Sequence, residues 1–171
     1  MTDTPLPPRP PRPPGSTRVP VLVRLSNKPT AAGMVVPFVT LAHRDRSRPV
    51  WGKLDHTRLQ KILWHKLCQI CGDPLTERVV LYIRPSDYLR GLTPEPGMHP
   101  ECGWYSTRAC PMLAGAVHRY NPHPPESFGP CEDPECGCRR WVVPEPDPRD
   151  GTREGKPAEA WYEAWLYLRD Y

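Results

Sequence analysis

The sequence predicts a small α+β domain that a hydrophobic core alone cannot hold together. Proline and glycine are abundant, with 26 Pro and 12 Gly among 171 residues, and they limit regular structure. Leu, Ile, Val and Phe together number only 32, near the level at which a chain struggles to bury a core. Seven cysteines offer the missing stabilisation. These observations predict one domain over 18–143, flanked by an N-terminal tail, a linker and a terminal helix.

The compartment and the state of the cysteines follow from two further features of the sequence. No run of 18 apolar residues is present, and the N-terminus lacks the apolar segment of a signal peptide. We therefore expect a cytoplasmic protein without membrane contact. An odd number of cysteines fits poorly with complete disulfide pairing, so their spacing is better read as a pattern of metal ligands.

The first predicted elements are a tail and two strands. Residues 1–17 are a Pro-rich segment expected to be disordered or extended, and the run Pro7–Pro14 is a candidate docking segment for an SH3-like protein partner. The β-branched stretches Val19–Leu25 and Met34–Ala42 are typical of strands. We expect them to pair through the loop Ser26–Gly33.

Two helices and one strand are predicted in the middle of the chain. Leu54–Leu67 has apolar residues at helical spacing, and Asp55 is placed to cap it. Val79–Ile83 is a short β-branched run that predicts a strand, and the Pro/Gly-rich stretch Arg84–Met98 predicts a loop. A second helix is expected over Pro100–Ala109, because proline suits the first helical position.

The last part of the chain predicts a linker and a helix. Residues 144–157 are charged and nearly free of apolar side chains. Residues 158–171 are predicted to form an amphipathic helix, in which Trp161, Trp165 and Leu168 recur at helical spacing. This stripe either packs back on the core or, through Trp161 and Trp165, docks a protein partner.

The first metal motif combines a Cys pair with a His/Cys pair. Cys68 and Cys71 form a C-x2-C knuckle, and the following Gly72 permits the positive φ such turns need. After 27 residues come His99 and Cys102, which face the same way if a helix starts near Pro100. Four ligands close a tetrahedron around a structural Zn²⁺, and the order knuckle, strand, loop, helix is that of a treble-clef zinc finger.

A second cysteine cluster predicts a second zinc ion. Cys131, Cys136 and Cys138 place three thiols in eight residues, with turn-forming Pro134 and Gly137 between them. The fourth ligand stays open at this point. Its candidates are Cys110, which completes the count of eight ligands, and two histidines, His118 and His123.

Several stretches resemble a known family. VVPFVT near Met34, LCQICGDPL at Leu67–Leu75, HPECGWYSTRACPML at His99–Leu113 and CEDPECGCRRW at Cys131–Trp141 are similar to small proteins of actinobacteria, especially streptomycetes, and of their phages. The resemblance covers about residues 18–143. It implies a zinc-binding fold with Cys68, Cys71, His99 and Cys102 as ligands, and it implies no established activity.

An enzyme motif competes with this interpretation. Zinc-dependent nucleobase deaminases carry H-x-E followed by P-C-x2–4-C, and His99, Glu101, Cys131 and Cys136 approximate that pattern. In such an enzyme Cys68 would have no role. The stretch after Cys136 also offers too little strand for the required βαβ units, so this alternative ranks low.

A basic segment points to a third class of function. Seven basic residues and only two acids lie between positions 44 and 66, with Trp51 and Trp64 among them. Basic and aromatic side chains together are typical of surfaces that follow a phosphate backbone. The candidate nucleic-acid-binding residues are Arg44, Arg46, Arg48, Lys53, Arg58, Lys61 and Lys66.

The sequence as a whole favours a binding module over an enzyme. No histidine lies in a nucleophile motif, and four-ligand zinc sites leave no position for a reacting water. The primary prediction is a non-enzymatic protein-interaction or regulatory module with one or two structural zinc ions. Nucleic-acid binding is the alternative.

Overall fold

The computed structural model describes residues 19–121, 130–141 and 153–171. The predicted tail 1–17, most of the predicted linker and His123 lie outside the described residues. Within them, the mixed α and β content predicted from the sequence is confirmed. No helix of the described part is both long and apolar enough to cross a membrane.

The described residues form three helices and three two-stranded antiparallel sheets. The strands are β1 (Thr30–Ala31), β2 (Met34–Val35), β3 (Thr40–Ala42), β4 (Pro49–Leu54), β5 (Arg78–Ile83) and β6 (Tyr162–Tyr167). The helices are α1 (His56–Trp64), α2 (Pro85–Arg90) and α3 (Pro100–Ala109). The sheets pair β1 with β2, β3 with β4, and β5 with β6.

The predicted pairing of Val19–Leu25 with Met34–Ala42 is wrong. Val23–Leu25 is a 3₁₀ turn that buries Leu25, and Met34–Ala42 is divided into β2 and β3. Pro37 lies between these two strands and has no N–H for a continuous ladder. Each half therefore pairs locally, β2 with β1 and β3 with β4.

The predicted central helices and strand are confirmed. Asp55 caps α1 by accepting a hydrogen bond from the Arg58 N–H at 3.0 Å, and α3 begins at Pro100 as its sequence indicates. The stretch predicted as a loop contains the short helix α2. Pro85 occupies its first turn and Gly91 ends it in the left-handed region at φ +69°.

The predicted C-terminal helix over 158–171 is wrong. Residues Tyr162–Tyr167 form β6, which pairs with β5 in an unbroken register from Arg78–Tyr167 to Ile83–Tyr162. Aromatic side chains favour strands, and β5 needs a partner that local helical periodicity does not reveal. Trp161 and Leu168 pack on the core, as the first of the two interpretations of the stripe predicts. Trp165 is half exposed.

The main core lies between β5, α3 and the turn that carries Cys68 and Cys71. Val79, Val80 and Tyr82 of β5 are buried, and Gly103 of α3 lets the helix approach the strand closely. A Cβ at Gly103 would lie 3.2 Å from the Tyr82 hydroxyl. This packing fixes α3, and with it His99 and Cys102, against the strand.

Candidate metal centres

The structure brings His and Cys side chains together at two places. In each place four ligand atoms lie within 4.8 Å of one another, and all four residues are buried. Site 1 consists of Cys68, Cys71, His99 and Cys102. Site 2 consists of His43, Cys131, Cys136 and Cys138.

Site 1 starts in a hairpin turn that the backbone closes tightly. The Cys68 N–H donates to the Asp73 carbonyl at 2.8 Å, and the Gly72 N–H donates to the Cys68 carbonyl at 2.9 Å. Gly72 has φ +78°, and a Cβ there would lie 2.7 Å from the Phe38 ring. Glycine is therefore required twice over, for the turn and for the close approach of Phe38.

The neighbouring chain segments hold this turn in place. The N–H groups of Phe38 and Val39 donate to the Ile70 and Gln69 carbonyls at 2.9 and 3.1 Å. Gln69 in turn donates from its side chain to the Pro96 carbonyl at 2.7 Å. The two thiols thus sit on a turn that is fixed from both sides without reference to a metal ion.

Helix α3 supplies the other two ligands of site 1. His99 occupies the position directly before its first turn, without a side-chain capping bond, and Cys102 lies in that turn. Residues three apart at this point face the same side, as the sequence predicted. The spacing H-x2-C therefore acts through helix geometry.

The hydrogen bonds of His99 define which ring nitrogen faces the cluster. Nε2 lies 2.9 Å from the Pro74 carbonyl, which can only accept, so Nε2 carries the proton. Nδ1 lies 3.5 Å from the Cys71 sulfur and keeps its lone pair toward the thiols. A second partner that fixes the tautomer in this way is typical of a metal-binding histidine.

Hydrogen bonds among the thiols of site 1 shift their pKa values. Burial works against ionisation of Cys68, yet hydrogen bonds from Cys102 and Cys71 outweigh it and lower the pKa of Cys68 to about 3. The hydrogen bond to Cys71 raises the pKa of His99. The cluster therefore stabilises a thiolate, and a divalent cation at its centre would take the place of the protons that the thiols share.

Site 2 is assembled from two distant parts of the chain. His43 follows β3 in the turn to β4, and its Nδ1 lies 3.7 Å from the Cys136 sulfur. Cys136 and Cys138 flank the start of a 3₁₀ turn, Gly137–Arg140. Cys131 completes the set, with its sulfur 3.6 Å from that of Cys138.

Backbone N–H groups donate hydrogen bonds to the sulfur atoms of site 2. Those of Cys138 and Arg44, the latter 3.4 Å from the sulfur, together with His43 lower the pKa of Cys136 to about 6. The Cys131 N–H donates to the Cys138 sulfur at 3.3 Å. N–H donors of this kind stabilise thiolates, the form that binds metal.

The distances in both sites fit a tetrahedral zinc ion. Four ligands about 2.3 Å from a Zn²⁺ ion lie about 3.8 Å from one another. One pair in site 1 at 3.5 Å and two pairs in site 2 at 3.6 and 3.7 Å are close to that spacing, and every other pair lies within 4.8 Å. Three thiolates and one imidazole are a donor set that prefers zinc to harder cations.

The fourth residue of the site 2 cluster is His43, which the sequence analysis did not identify. The predicted candidate Cys110 is not in either cluster, and it lies at the C-terminal end of α3, whereas the site 1 residues lie at the N-terminal end. His118 is likewise outside both clusters, and its carbonyl accepts from the Ala158 N–H. His43 lies 88 residues before Cys131, and no spacing pattern links them. The only signal was a group of three cysteines without a fourth partner.

The structure also separates the residues of the deaminase pattern. His99 belongs to site 1, whereas Cys131 and Cys136 belong to site 2. A deaminase would need all three on one ion. The arrangement therefore contradicts that alternative.

The seven predicted nucleic-acid-binding residues differ in their availability. Arg44 pairs with Glu135 and Asp133, and Arg46 turns inward to donate to the Pro37 carbonyl at 2.6 Å. Arg58 donates to the Phe38 carbonyl and stacks on the Phe38 ring, while Lys66 donates to the Leu168 carbonyl. Three residues of the set make no salt bridge with a described residue: Arg48, Lys53 and Lys61.

Comparison with known proteins returns no match. No protein-family model, no curated protein and no solved structure matches the chain.

Proposed function

We propose that the protein is a non-enzymatic binding module whose fold is held by two structural zinc ions. The observation that carries the proposal is the pair of buried Cys₃His clusters, each with four ligand atoms within 4.8 Å. Site 1, with its knuckle, strand β5 and helix α3 in that order, supports a treble-clef arrangement. The resemblance to actinobacterial and phage proteins stays a prediction beside it.

The ligand count favours structure over catalysis. A catalytic zinc ion keeps a coordination position open for water or substrate, whereas four protein ligands close the tetrahedron. Both clusters are complete and buried. Each ion would hold together segments that are far apart in the sequence. This is the role of a structural ion.

The proposal also concerns the compartment. Six thiolates bind zinc only where they stay reduced, as in the cytoplasm. All seven cysteines are free in the structure. This supports assignment of the protein to a reducing compartment.

Zinc content of the purified chain tests the proposal. Protein prepared without chelator should carry two zinc ions, and Cys68→Ser and Cys131→Ser should each carry one or fewer. The matched control is Cys110→Ser, because Cys110 is the cysteine outside both clusters. It should keep two ions, and a wild-type chain that binds none from zinc-containing medium would end the proposal.

A further inference from the structure

Strand β6 forms one edge of its sheet, and the outer side of that edge is open. The Leu168 N–H donates to the Glu77 carbonyl at 2.9 Å, so Leu168 and every second residue before it bond to β5. The residues between them direct their backbone groups away from β5, and they are Glu163, Trp165 and Tyr167. Among the residues that the structure describes, β5 is the one strand that pairs with β6.

The opposite edge of the same sheet is covered. Val80 of β5 donates to the Met98 carbonyl at 2.9 Å and accepts from the Met98 N–H at 3.0 Å. Strand β6 lacks the features that protect natural edge strands, because it contains no proline or lysine and its register with β5 has no bulge. In the described part of the chain, this sheet therefore has one edge at which a further strand can pair.

The side chains on one face of β6 are exposed although two of them are aromatic. Trp165 is 53% exposed and Tyr167 is 38% exposed, and Glu163 is exposed beside them. They share this face because residues two apart in a strand point the same way. The Trp165 Nε1–H donates to Glu163 Oε1 at 2.6 Å, and the Arg78 guanidinium lies 4.1 Å from the centre of the Tyr167 ring. An incoming strand therefore meets side chains that are already ordered, which lowers the cost of association.

We propose that β6 pairs antiparallel with β6 of a second copy of the chain, so that a four-stranded sheet forms across a two-fold axis. Trp165 lies at the axis, where it exchanges both backbone hydrogen bonds with Trp165 of the second copy. The Tyr167 N–H donates to the Glu163 carbonyl of the second copy, and symmetry repeats this contact. Tyr167 directly precedes the 3₁₀ turn Leu168–Asp170, so the pairing uses its N–H and not its carbonyl.

The order of side chains along β6 favours its own copy over an unrelated strand. In this register the Glu163 carboxylate lies opposite Tyr167 of the second copy. Two guanidinium groups lie over that ring, 4.1 and 5.0 Å from its centre, and they belong to Arg78 and Arg169. Opposite charges therefore meet on both sides of the axis, and two indoles meet at its centre. A register centred two residues earlier would instead place two Glu163 carboxylates against each other.

The symmetry also limits the size of the assembly. Each copy contributes its one open edge to the pairing, and the other edge of the sheet is closed by Met98. A contact that uses the same surface on both copies closes on itself. The proposal adds an interface to the binding module and rests on β6, not on a metal ligand.

Sedimentation equilibrium of the zinc-loaded full chain, from about 1 to about 300 µM, measures the association. The decisive variant is Tyr167→Pro, because the φ of Tyr167 is −79°, which proline accepts, and its N–H does not bond to β5. The matched control is Tyr167→Thr, which also removes the ring but keeps the N–H. We expect dimerisation of Tyr167→Pro to be at least about tenfold weaker than that of Tyr167→Thr, since the proline removes one N–H donor from each copy.

Amide hydrogen exchange of the wild-type chain locates the interface without any variant. It is read residue by residue by NMR at both ends of the concentration range. The N–H groups of Trp165 and Tyr167 should be protected only in the concentrated sample, because they face the second copy. Those of Ala164 and Leu166 bond to β5 and should be protected equally in both samples.

Three results would overturn the proposal. A wild-type chain that stays monomeric at about 300 µM has no such interface. Equal association of Tyr167→Pro and Tyr167→Thr, or equal exchange of the Trp165 amide at both concentrations, places any contact elsewhere on the molecule. Zinc content is measured on each chain, and if Tyr167→Pro loses zinc, the exchange of the wild type decides. A monomer that keeps its zinc contradicts this interface and leaves the proposed zinc-dependent fold standing.

Discussion

The two clusters have the same ligand chemistry but lie in different surroundings. Three of the four ligands of site 1 belong to a core cluster that also contains Val79, Val80 and Met98. The cysteines of site 2 form a small cluster of their own, and among the described residues Trp141 is the hydrophobic side chain that packs against them. One site is therefore built into the hydrophobic core, whereas the other replaces a core.

This difference separates two uses of a structural metal ion. At site 1 the turn, the helix and the histidine tautomer are set by hydrogen bonds, so the ion joins elements that already lie close together. At site 2 the segment 130–141 reaches the β3–β4 turn through the ligands, the His43–Trp141 ring contact and the exposed Arg44–Glu135 pair. Because three ligands of site 1 belong to the main core, loss of its ion should unfold the molecule, whereas loss of the ion at site 2 should release a segment.

The largest effect is expected for Cys68→Ser. A structural zinc ion contributes on the order of 10 kcal/mol, which is comparable to the whole stability of a domain. The variant should lose its cooperative thermal transition and its near-UV circular dichroism. Differential scanning calorimetry measures this, with Cys110→Ser as the control that keeps the transition, and a cooperative Cys68→Ser chain would contradict the comparison.

The next effect compares a buried ion pair with an exposed one near site 2. Asp87 is fully buried and pairs with Arg84 at 2.7 Å and with Arg90 at 2.7 Å. Glu135, near site 2, is 71% exposed. Asp87→Asn should cost about 4 kcal/mol because it leaves buried guanidinium charge unpaired, whereas Glu135→Gln should cost under about 1 kcal/mol. Urea unfolding at pH 7 measures both.

The same pair predicts a pH dependence. Burial raises the pKa of Asp87, but the hydrogen bonds from Arg84 and Arg90 outweigh it and hold the pKa below its ordinary value. Its contribution is therefore complete above the unfolded pKa of about 3.9 and declines as the pH falls further. The difference between wild type and Asp87→Asn should stay constant from pH 7 to 5, and urea unfolding is read over this range because protonation of the ligands releases zinc at lower pH. A difference that shrinks above pH 5 would contradict the assignment.

A smaller effect tests how rigidly the turn of site 1 is held. Gly72→Ala places a Cβ against the Phe38 ring at φ +78°, whereas Gly52→Ala at φ +81° meets nothing within 4 Å. We expect about 3 kcal/mol for Gly72 and about 1 kcal/mol for Gly52, since only the first adds a clash to the backbone strain. Urea unfolding of the zinc-loaded chains measures the difference, and equal costs would show that Phe38 yields.

The parts of the fold that could be predicted from the sequence are those that local physics determines. The Asp55 cap, the start of α3 at Pro100 and the four ligands of site 1 are all visible in spacings of a few residues. The terminal strand was wrongly predicted as a helix because its partner β5 lies about 80 residues away. The helical spacing of apolar residues over these 14 positions gives no information about pairing with a distant strand.

The same limit applies to the second site. Three of its ligands lie within eight residues and were predicted, whereas His43 comes from a hairpin turn much earlier in the chain. Cys110 is a candidate for the fourth position only because it completes a count of ligands. A count of possible ligands says nothing about where the chain places them. In the structure Cys110 lies at the C-terminal end of α3, outside both sites.

The smallest global effect is expected for His43→Ala, and it is the sharpest test of the comparison. Removing the imidazole opens site 2, yet the main core contains no residue of this site. One zinc ion should be lost, while the melting temperature changes by less than about 3 °C, as for a change under 1 kcal/mol. Hydrogen exchange should accelerate over residues 130–141 and stay unchanged in β5 and α3, because opening of a satellite segment does not require unfolding of the core. The control His118→Ala, outside both sites, should change neither measurement. Exchange that accelerates in β5 as well would show that site 2 is part of the cooperative core, and the distinction between the two uses of zinc would fall.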